Sequence, residues 1–330
     1  MELPLLSIII PVYNTEEYLT DCLNSLVSQM KQRVEIILID DSSVDKSWSI
    51  CKKYEKKYDY IHIFQQRHSG LSAARNFGIQ HAKGNYISFI DSDDFVSKQY
   101  LDRIFNILVK TQPDMLVFNY AYQYKKCTKA SSEYKNWNTG MISKKSVIRT
   151  LTNSSYAWNK VYSRHLFKKV CYPVGQYYED VNTTFKLVNL SQNIFYIDEV
   201  LYFYVQRTNS IVHMPSLKKT EDNLLANLAL FKFLNENSYK DAARYQRSRV
   251  TIISFYYCLN YGIKNRIQFD KADEMYINGE IPDNTPMSLR ISINLCKKVP
   301  QAIYALRIIT SIKRGIKGSV AKFKNQIQGL

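Results

Sequence analysis

The chain has 330 residues, of which 45% are hydrophobic, and its formal net charge is +16. This hydrophobic fraction excludes a disordered protein, and ten glycines and eight prolines are too few for a low-complexity or collagen-like chain. The length suffices for one large domain or two ordinary ones.

The cysteines and the apolar segments favour a cytoplasmic protein. Six cysteines lie far apart, with no CxxC pair and no Cys/His cluster of metal-site spacing, which is typical of a reducing compartment. The amino-terminal MELPLLSIIIPVYN is apolar but lacks the basic start and the small-residue cleavage site of a signal peptide. No stretch approaches about 18–20 uncharged apolar residues, so we expect any membrane contact to be peripheral.

The first hundred residues predict alternating strands and helices. Apolar runs give strands at 5–13, 34–41, 60–66 and from 86, and helical spacing gives helices at 14–28, 45–58, 71–82 and about 98–110. Asn14 and Glu17 have the spacing of a capping box, which predicts the start of the first helix. Repeated βα units favour a largely parallel sheet with helices on both faces, which is an α/β fold.

Beyond these units the pattern changes. We expect a strand at 115–122, a loop or hairpin region at 125–140, a helix beginning at Glu179-Asp180 and two strand segments within 194–207. From about residue 216 the sequence is helical in character. We therefore expect an α/β domain over 1–215 and a helical region over 216–330.

Three polar clusters follow predicted strands, namely Tyr13-Asn14, Asp40-Asp41 and Asp91 to Asp94. Ligands of open parallel sheets bind beyond the carboxyl ends of the strands, so these clusters indicate a binding site.

Asp91 and Asp93 are candidates for a metal site. Aspartates at i and i+2 project to one side of an extended chain, and two carboxylates that share Mg²⁺ or Mn²⁺ would let the ion neutralise a diphosphate. The alternative is a solvated turn in which Asp94 caps the next helix. The buried strand before them and the other acidic strand ends favour the metal site.

Other polar residues have two interpretations each. Asp40 and Asp41 could bind a base or a ribose, or could belong to a turn that caps the next helix. Arg75 could reach a phosphate, or could be a surface arginine. Glu179 and Asp180 could supply a general base, or could stabilise the dipole of the helix that they begin.

Together these residues resemble glycosyltransferase family 2, the inverting nucleotide-sugar transferases of GT-A fold. The matching stretches are SIIIPVYNTEEYLTDCLNSLVSQ (7–29), VEIILIDDSSVD (34–45), GLSAARNFGIQHAKGNYISFIDSDD (70–94) and YYEDVNTTF (177–185). One departure is His68-Ser69-Gly70, where many relatives carry Asn-Gly-Gly, and we expect it to alter donor contacts only.

The resemblance implies a role for each matching position. The metal ligands would be Asp91 and Asp93, at the family's DxD motif, and the catalytic base would be Asp180 with Glu179 beside it. The residues that border or contact the donor nucleotide-sugar would be Pro11, Val12, Tyr13, Asn14, Glu16, Asp40, Asp41, Arg75, Ser92, Lys160 and Arg207.

The resemblance also implies a reaction and its partners. The donor would be a UDP-sugar carrying a hexose or an N-acetylhexosamine, with Mn²⁺ or Mg²⁺ as cofactor. The acceptor would be a hydroxyl of a glycan, typically lipid-linked, in capsule, O-antigen or cell-wall synthesis. Displacement at the anomeric carbon would invert the configuration and give a β-linkage.

The carboxyl-terminal segment is strongly basic. After Asp283 there are nine lysines and arginines and no acidic residue. A helical apolar stripe is formed by Ile309, Ile312, Ile316, Val320, Phe323 and Ile327. Such a helix favours an anionic membrane surface, here the inner face of the cell membrane, and the alternative is a helix that packs in a core or forms a homodimer.

Two other classes compete with a glycosyltransferase. A nucleotidyltransferase also uses acidic strand ends, but no Gly-rich loop with Lys or Arg follows the first strand. A nucleic-acid-binding protein would explain the net charge and the 26 tyrosines. However, the predicted cleft is acidic and would repel phosphate, so we expect no nucleic-acid partner.

Overall fold

The computed structural model describes residues 3–207, 216–261 and 287–298. The chain divides into two compact units, Met1–Pro215 and Ser216–Leu330. The amphipathic stripe of the basic tail lies outside the described residues.

The first unit alternates strands and helices through its first half. Its elements there are β1 (Leu6–Val12), α1 (Leu19–Val27), β2 (Val34–Asp40), α2 (Ser47–Lys57), β3 (Ile61–Gln65), α3 (Leu71–His81), β4 (Tyr86–Phe89), β5 (Phe95–Val96) and α4 (Tyr100–Thr111). The second half contains β6 (Met115–Gln123), β7 (Thr128–Ala130), β8 (Gly140–Ile142), α5 (Lys144–Thr150), β9 (Lys160–Ser163), a 3₁₀ turn (Arg164–Lys168), α6 (Glu179–Leu190) and β10 (Ile194–Val205).

One sheet runs through this unit in the order β3-β2-β1-β4-β9-β6-β10-β5, with β7 beside β6 and β8 beside β10. Strands β3, β2, β1 and β4 pair in parallel, and so do β6 and β10. Strand β9 is antiparallel to both β4 and β6, so β6 and β10 point the same way as β4. The expected α/β architecture with a mostly parallel sheet is confirmed.

The central strands are apolar because helices cover both faces of the sheet. Every residue of β1, β2 and β4 is buried. Helix α1 contributes Leu19, Cys22, Leu23 and Leu26 to this core, so its apolar residues recur at helical spacing, as the sequence predicts.

Helix α3 approaches the sheet closely at a glycine. A Cβ added to Gly78 would lie 2.4 Å from Cγ2 of Ile9 on β1, so only glycine allows this distance. The same buried face of α3 carries Arg75, one turn nearer its amino end. This close packing places the arginine near the carboxyl ends of the strands.

Two local predictions are wrong. Helix α1 begins at Leu19 and not at Asn14, because Asn14 is in a turn with a φ of 51°. Within 194–207 there is one strand, β10 (Ile194–Val205), and not two, with register shifts between Ile197 and Tyr202. The loop or hairpin region expected at 125–140 is confirmed, since β7 pairs antiparallel with β6 across the turn at 124–127 and a loop follows it up to β8.

The second unit is helical where it is described, with α7 (Leu217–Glu236), α8 (Lys240–Tyr261) and α9 (Met287–Lys298). Leu224 of α7 packs with Val250 of α8 in a buried cluster, and Gln246 Nε2 donates to the Asn227 carbonyl across the pair. Among the residues described in either unit, no helix has the length and apolarity needed to cross a membrane.

Candidate active site

Hydrogen bonds join the turn after β1 to the turn after β2. Four of them, 2.8–3.1 Å long, run from Asn14 N to Ser43 Oγ, from Val44 N to Asn14 Oδ1, from Glu16 N to Asp45 Oδ2 and from Lys46 N to Glu16 Oε2. Each bond pairs a backbone amide with a side chain, so the sequence of these turns fixes their mutual position. Asn14 and Glu16 thus hold the two loops of this edge together.

Tyr13 forms an exposed aromatic platform at the same edge. Its ring stacks on His68 with centroids 4.4 Å apart, and it is 42% exposed. Pro11 and Val12, by contrast, are buried in β1. Their contact with a nucleotide therefore stays a prediction.

Asp40 and Asp41 are both buried but differ in their partners. Asp40 Oδ2 accepts from Ser43 N and Gln65 Nε2, while its Oδ1 has no hydrogen-bond partner in the structure. A buried acceptor without a donor is unusual and indicates a missing partner such as a ligand or a water. Of these two residues, Asp40 is therefore the one with an oxygen that can accept a hydrogen bond from a ligand.

Both oxygens of the Asp41 carboxylate already have hydrogen-bond partners within the protein. Donors from residues 66 to 70 surround it: Gln66 Nε2, Ser69 N and Gly70 N lie 2.7–2.9 Å from its oxygens, and His68 Nδ1 lies 2.9 Å from Oδ2. It holds the loop in which Gly70 adopts a φ of 86° before α3. The expectation that Asp41 is free to contact a ribose conflicts with this saturation.

The turn after β4 is tight. Asp94 N donates to the Asp91 carbonyl over 3.0 Å, so the chain between Asp91 and Asp93 is turned and not extended as expected from the sequence. Ser92 is buried and accepts from Thr15 Oγ1, and Thr15 N donates to Ser47 Oγ. Ser92 thus links this turn to the loop after β1 and, through Thr15, to the start of α2, a link that the sequence did not predict.

Asp94 does not cap a helix, and that alternative is wrong. It is buried, accepts from Tyr202 Oη at 2.6 Å and from Val205 N at 2.8 Å, and so fixes the end of β10. Tyr202 Oη also accepts from Asp91 N. Burial, followed by the neighbouring Asp93, raises the pKa of Asp94 well above its ordinary value.

Arg75 is buried and bridges two carboxylates. Its Nη1 donates to Glu179 Oε1 at 2.7 Å and its Nη2 to Asp91 Oδ1 at 3.0 Å, between the rings of Phe89 and Tyr172. Burial would lower the pKa of the guanidinium, but Asp91 and Glu179 outweigh it and raise the pKa. The alternative of a surface arginine is wrong.

Asp93 faces Arg207. The two form an ion pair, and the guanidinium lies 5.1 Å from the centre of the Tyr18 ring. Burial, followed by repulsion from Asp91, raises the pKa of Asp93 to about 6 although Arg207 opposes the shift. The structure thus brings Arg207, from the end of the first unit, to the predicted DxD motif.

Glu179 and Asp180 begin α6, after Tyr178 in a left-handed conformation with a φ of 58°. Burial, followed by Glu179, raises the pKa of Asp180 to about 7, against the influence of Arg75 and Lys160. A carboxyl that titrates near neutral pH suits a general base. The helix-dipole interpretation does not explain why Glu179 reaches Arg75 instead of solvent.

Lys160 is buried beneath this site. Its Nζ lies 2.6–3.3 Å from the Asn159 side-chain oxygen and from the carbonyls of Ser154 and Tyr156. Burial lowers its pKa to about 7, while Asp180 raises it. Lys160 holds the loop that enters β9, and its contact with a donor stays a prediction.

An aromatic cluster that was not predicted from the sequence lies at the ends of β6 and β10. Trp158 stacks on Tyr202 and on Tyr156 with centroids 4.4 and 4.6 Å apart, and Tyr204 lies 6.0 Å from Tyr122. The only signal in the sequence is the alternation of tyrosines in FNYAYQ and LYFYV. Alternate residues of a strand share one face.

The charges of the site fit a divalent cation. Five carboxylates, those of Asp91, Asp93, Asp94, Glu179 and Asp180, gather around three cationic side chains, those of Arg75, Lys160 and Arg207. Asp91 and Asp93 remain partly exposed, with 24% and 15% of their side-chain surfaces accessible. Among the described residues, no three His, Cys, Asp or Glu side chains form a ligand cluster. Two carboxylates that leave further positions to water and phosphate are the arrangement typical of Mg²⁺.

Curated relatives of this chain carry glycosyltransferase names. Glycosyltransferase GlyA of Streptococcus pneumoniae is 32% identical over 217 residues, which are 62% of this chain and 31% of GlyA. Glycosyltransferase GlyG of the same organism is 28% identical over 220 residues, 63% of this chain and 73% of GlyG. The chain thus spans about a third of one relative and most of the other.

The fold has a close counterpart among solved structures. The structure of residues 1–349 of S. aureus TarS in complex with UDP-GlcNAc superimposes with a TM-score of 0.64, at 23% identity, over 94% of this chain and 92% of that one. This likeness identifies the α/β architecture as the GT-A fold. The sequence of residues 7–171 matches the family described as Glycosyl transferase family 2. The chain is therefore a member of glycosyl transferase family 2 and a glycosyltransferase.

Proposed function

We propose that this glycosyltransferase moves a hexose or an N-acetylhexosamine from a UDP-sugar to a hydroxyl of a glycan acceptor, with inversion to a β-linkage and with a divalent metal. The observation that carries the proposal is the group of carboxylates after β2 and β4 and at the start of α6. Within it, the Asp180 pKa is raised to about 7.

The nucleoside would lie at the ends of β1 and β2. The unpartnered Oδ1 of Asp40 can accept from an imide N–H of uracil or from a ribose hydroxyl. The stacked Tyr13 and His68 offer a ring face for the base beside it. TarS, which shares the fold, is described in complex with UDP-GlcNAc, and this supports UDP as the nucleotide.

The diphosphate would lie over the turn after β4. Asp91 and Asp93 would hold Mn²⁺ or Mg²⁺, which when bound neutralises phosphate charge and stabilises the leaving UDP. Arg207 is paired with Asp93 and would donate to the diphosphate from there. Arg75 is occupied by Asp91 and Glu179, so we assign it the role of a positioning residue between metal ligand and base.

Asp180 would take the proton from the acceptor hydroxyl as that oxygen attacks the anomeric carbon. The bond from the anomeric carbon to the diphosphate oxygen breaks as the new glycosidic bond forms, so the configuration inverts. Glu179 keeps the Asp180 pKa raised and is itself held by Arg75.

The acceptor and the cellular setting are proposed from the family resemblance. We propose a glycan acceptor, lipid-linked, as in capsule, O-antigen or cell-wall synthesis, and attachment to the inner face of the cell membrane through the basic tail. A homodimer formed by that tail is the alternative use of its apolar stripe. Both proposals concern residues outside the described part of the chain.

A UDP titration tests the donor site. We expect calorimetry to show UDP binding that tightens when Mn²⁺ is present, and we expect Asp93→Ala to remove this dependence on metal. Wild-type protein that binds UDP equally well with and without Mn²⁺ would contradict the metal role. Release of pyrophosphate from a nucleoside triphosphate would support a nucleotidyltransferase instead.

A further inference from the structure

Three half-buried tyrosines form a continuous surface at the carboxyl ends of β6 and β10, and we call Tyr122, Tyr156 and Tyr204 the tyrosine surface. Tyr204 lies 6.0 Å from Tyr122 and 6.4 Å from Tyr156, measured between ring centroids. None of the three has a role in the binding of the donor proposed above.

The tyrosine surface is supported from below by buried rings. Tyr122 and Tyr204 are paired across β6 and β10, as are Tyr120 and Tyr202 two residues earlier, so all four lie on one face. Tyr120, Tyr202 and Trp158 are buried, whereas the members of the tyrosine surface are partly exposed. The cluster is therefore a packed core that opens towards solvent at the edge of the sheet where the active site lies.

Lys160 holds Tyr156, the member of the tyrosine surface that lies outside β6 and β10. Its Nζ donates to the Tyr156 carbonyl at 2.8 Å, and the Tyr156 ring stacks on Trp158. Packing and hydrogen bonds thus hold the rings in place before any ligand arrives, which lowers the entropy cost of binding.

The sheet order places this surface beyond the reacting carboxylates. Asp40 ends β2 and Asp91 follows β4, while β6 and β10 lie on the far side of β4 and β9. With about 4.8 Å between neighbouring strands, β2 and β6 are roughly 19 Å apart. The nucleoside end and the tyrosine surface therefore flank the DxD turn from opposite sides.

The local charge indicates a neutral occupant. Tyr202, which precedes Tyr204 by two residues on β10, donates to Asp94 at 2.6 Å, and the guanidinium groups of Arg75 and Arg207 are already paired with carboxylates. An anionic group such as a phosphodiester would therefore find both of these arginines engaged. A sugar ring is uncharged, its C–H face packs on aromatic rings, and its hydroxyls can bond to the tyrosine hydroxyls.

We propose that the tyrosine surface binds the pyranose ring of the acceptor that lies next to the attacking hydroxyl. That this sugar is the acceptor rests on the proposed function. The binding of a neutral sugar ring at these tyrosines does not depend on it. It assigns acceptor recognition to the β6–β10 end of the sheet and donor recognition to the β1–β2 end.

Saturation-transfer NMR with simple glycosides tests the inference. The probes are methyl β-glycosides of glucose, galactose and N-acetylglucosamine, with ribitol phosphate as an anionic, acyclic control, each with saturating UDP and Mn²⁺. We expect at least one glycoside to bind and Tyr204→Leu to weaken it about tenfold, the order of one lost ring contact. Tyr204→Phe keeps the ring and should stay within about twofold.

Control variants separate a lost contact from a lost fold. Tyr245→Leu removes an exposed tyrosine of α8 and should change nothing. If Tyr204→Leu lowers the thermal unfolding midpoint, Tyr122→Leu on the neighbouring strand is used in its place. UDP affinity, measured in parallel, should be equal in all variants.

The outcomes are distinct. Glycoside binding that depends on Tyr204 or Tyr122 supports the inference, and it does so even if UDP fails to bind, in which case only the proposed donor fails. Absence of glycoside binding in UDP-bound wild-type protein would overturn the inference and leave the proposed function intact. Equal binding to the leucine variants, or stronger binding of ribitol phosphate at the same tyrosines, would overturn it as well.

Discussion

The two ends of the active-site edge are built from different interactions. At the ends of β1 and β2, backbone amides and short side chains bind one another, as between Asn14 and Ser43 or between Asp41 and Gly70. At the ends of β6 and β10, stacked rings such as Trp158 and Tyr202 hold the structure together. The first end can recognise a ligand through directed hydrogen bonds, and the second through the shape of a ring face. We infer that a nucleotide and a neutral sugar are accordingly recognised at opposite ends of one sheet.

The turn after β4 joins the two ends. Tyr202, from the aromatic end, accepts from Asp91 N and donates to Asp94, and Arg75 ties Asp91 to Glu179. A change at this junction should therefore affect both ends, whereas a change at either end should stay local.

The largest expected effect is at the proposed base. Asp180→Asn keeps the size of the side chain but cannot accept the proton, so we expect the transfer rate to fall about 10²- to 10⁴-fold while UDP affinity is unchanged. A steady-state assay of UDP release with a calorimetric UDP titration measures both. Glu179→Gln is the matched control, with a smaller expected loss. Full activity of the Asp180→Asn enzyme would remove Asp180 from the mechanism.

The next effect concerns the junction. Arg75→Ala leaves Asp91 and Glu179 without their buried cation, and we expect a loss of about 3–5 kcal/mol in the free energy of unfolding, measured in urea. The control is Arg103→Ala, because Arg103 forms a half-exposed pair with Glu199 and should contribute about 1 kcal/mol at most. Similar losses in the two variants would show that the buried bridge has no special role.

We expect substitutions of Asp40 and Asp41 to have different effects, on UDP affinity for Asp40 and on the free energy of unfolding for Asp41. Asp41→Asn disturbs a fully bonded carboxylate, so we expect a loss of about 1–3 kcal/mol in unfolding free energy. Asp40→Asn alters the oxygen that has no partner, so we expect about tenfold weaker UDP binding without that loss of stability. Calorimetry and urea unfolding on both variants measure the difference, and identical behaviour would contradict it.

The pH profile reports on the same carboxyl as the first prediction. The Asp180 pKa is raised to about 7, so the base is protonated and inactive below this pH and ionised above it. We expect kcat/KM to rise about tenfold per pH unit below the pKa and to level off above it. Glu179→Gln removes a charge that raises this pKa, so its profile should shift to lower pH. A flat wild-type profile between about pH 5 and pH 9 would contradict the assignment.

The smallest effect is at the exposed platform. Tyr13→Ala removes the ring that stacks on His68, and we expect UDP affinity to fall about two- to tenfold. His68→Ala should act similarly, and the double variant should lose less than both together because the rings act as a pair. An unchanged affinity in Tyr13→Ala would place the base elsewhere.

Much of the donor end could be predicted because its residues are close in sequence. Asp91 and Asp93 share one turn, and Asn14 and Asp40 directly follow strands that the apolar pattern predicts. The sequence does not predict which of two adjacent carboxylates is occupied by hydrogen bonds within the protein and which has an oxygen free. Whether Asp40 or Asp41 is saturated depends on the path of residues 65–70, and the partner of Asp94 lies at Tyr202.

The aromatic end depends on long-range register. Tyr122 meets Tyr204 only because β6 and β10 pair in parallel with that alignment, after two register shifts. A one-residue slip would turn the rings of one strand to the opposite face of the sheet. The alternation of tyrosines predicts two strands with an aromatic face, but nothing local predicts that the two faces join or that Trp158 packs beside them.

The reversed direction of β9 has a consequence for how such enzymes diversify. Because β9 runs against its neighbours, the segment that reaches the active-site edge is the one that enters the strand, and it comes from α5 through residues 151–159. Changes in this stretch would alter the surroundings of Tyr156 while the turns after β1 and β2, where we propose that the nucleoside binds, keep their own hydrogen bonds. If Tyr156 contacts the acceptor as proposed, residues 151–159 are the stretch to exchange when the acceptor is to be changed and the donor kept.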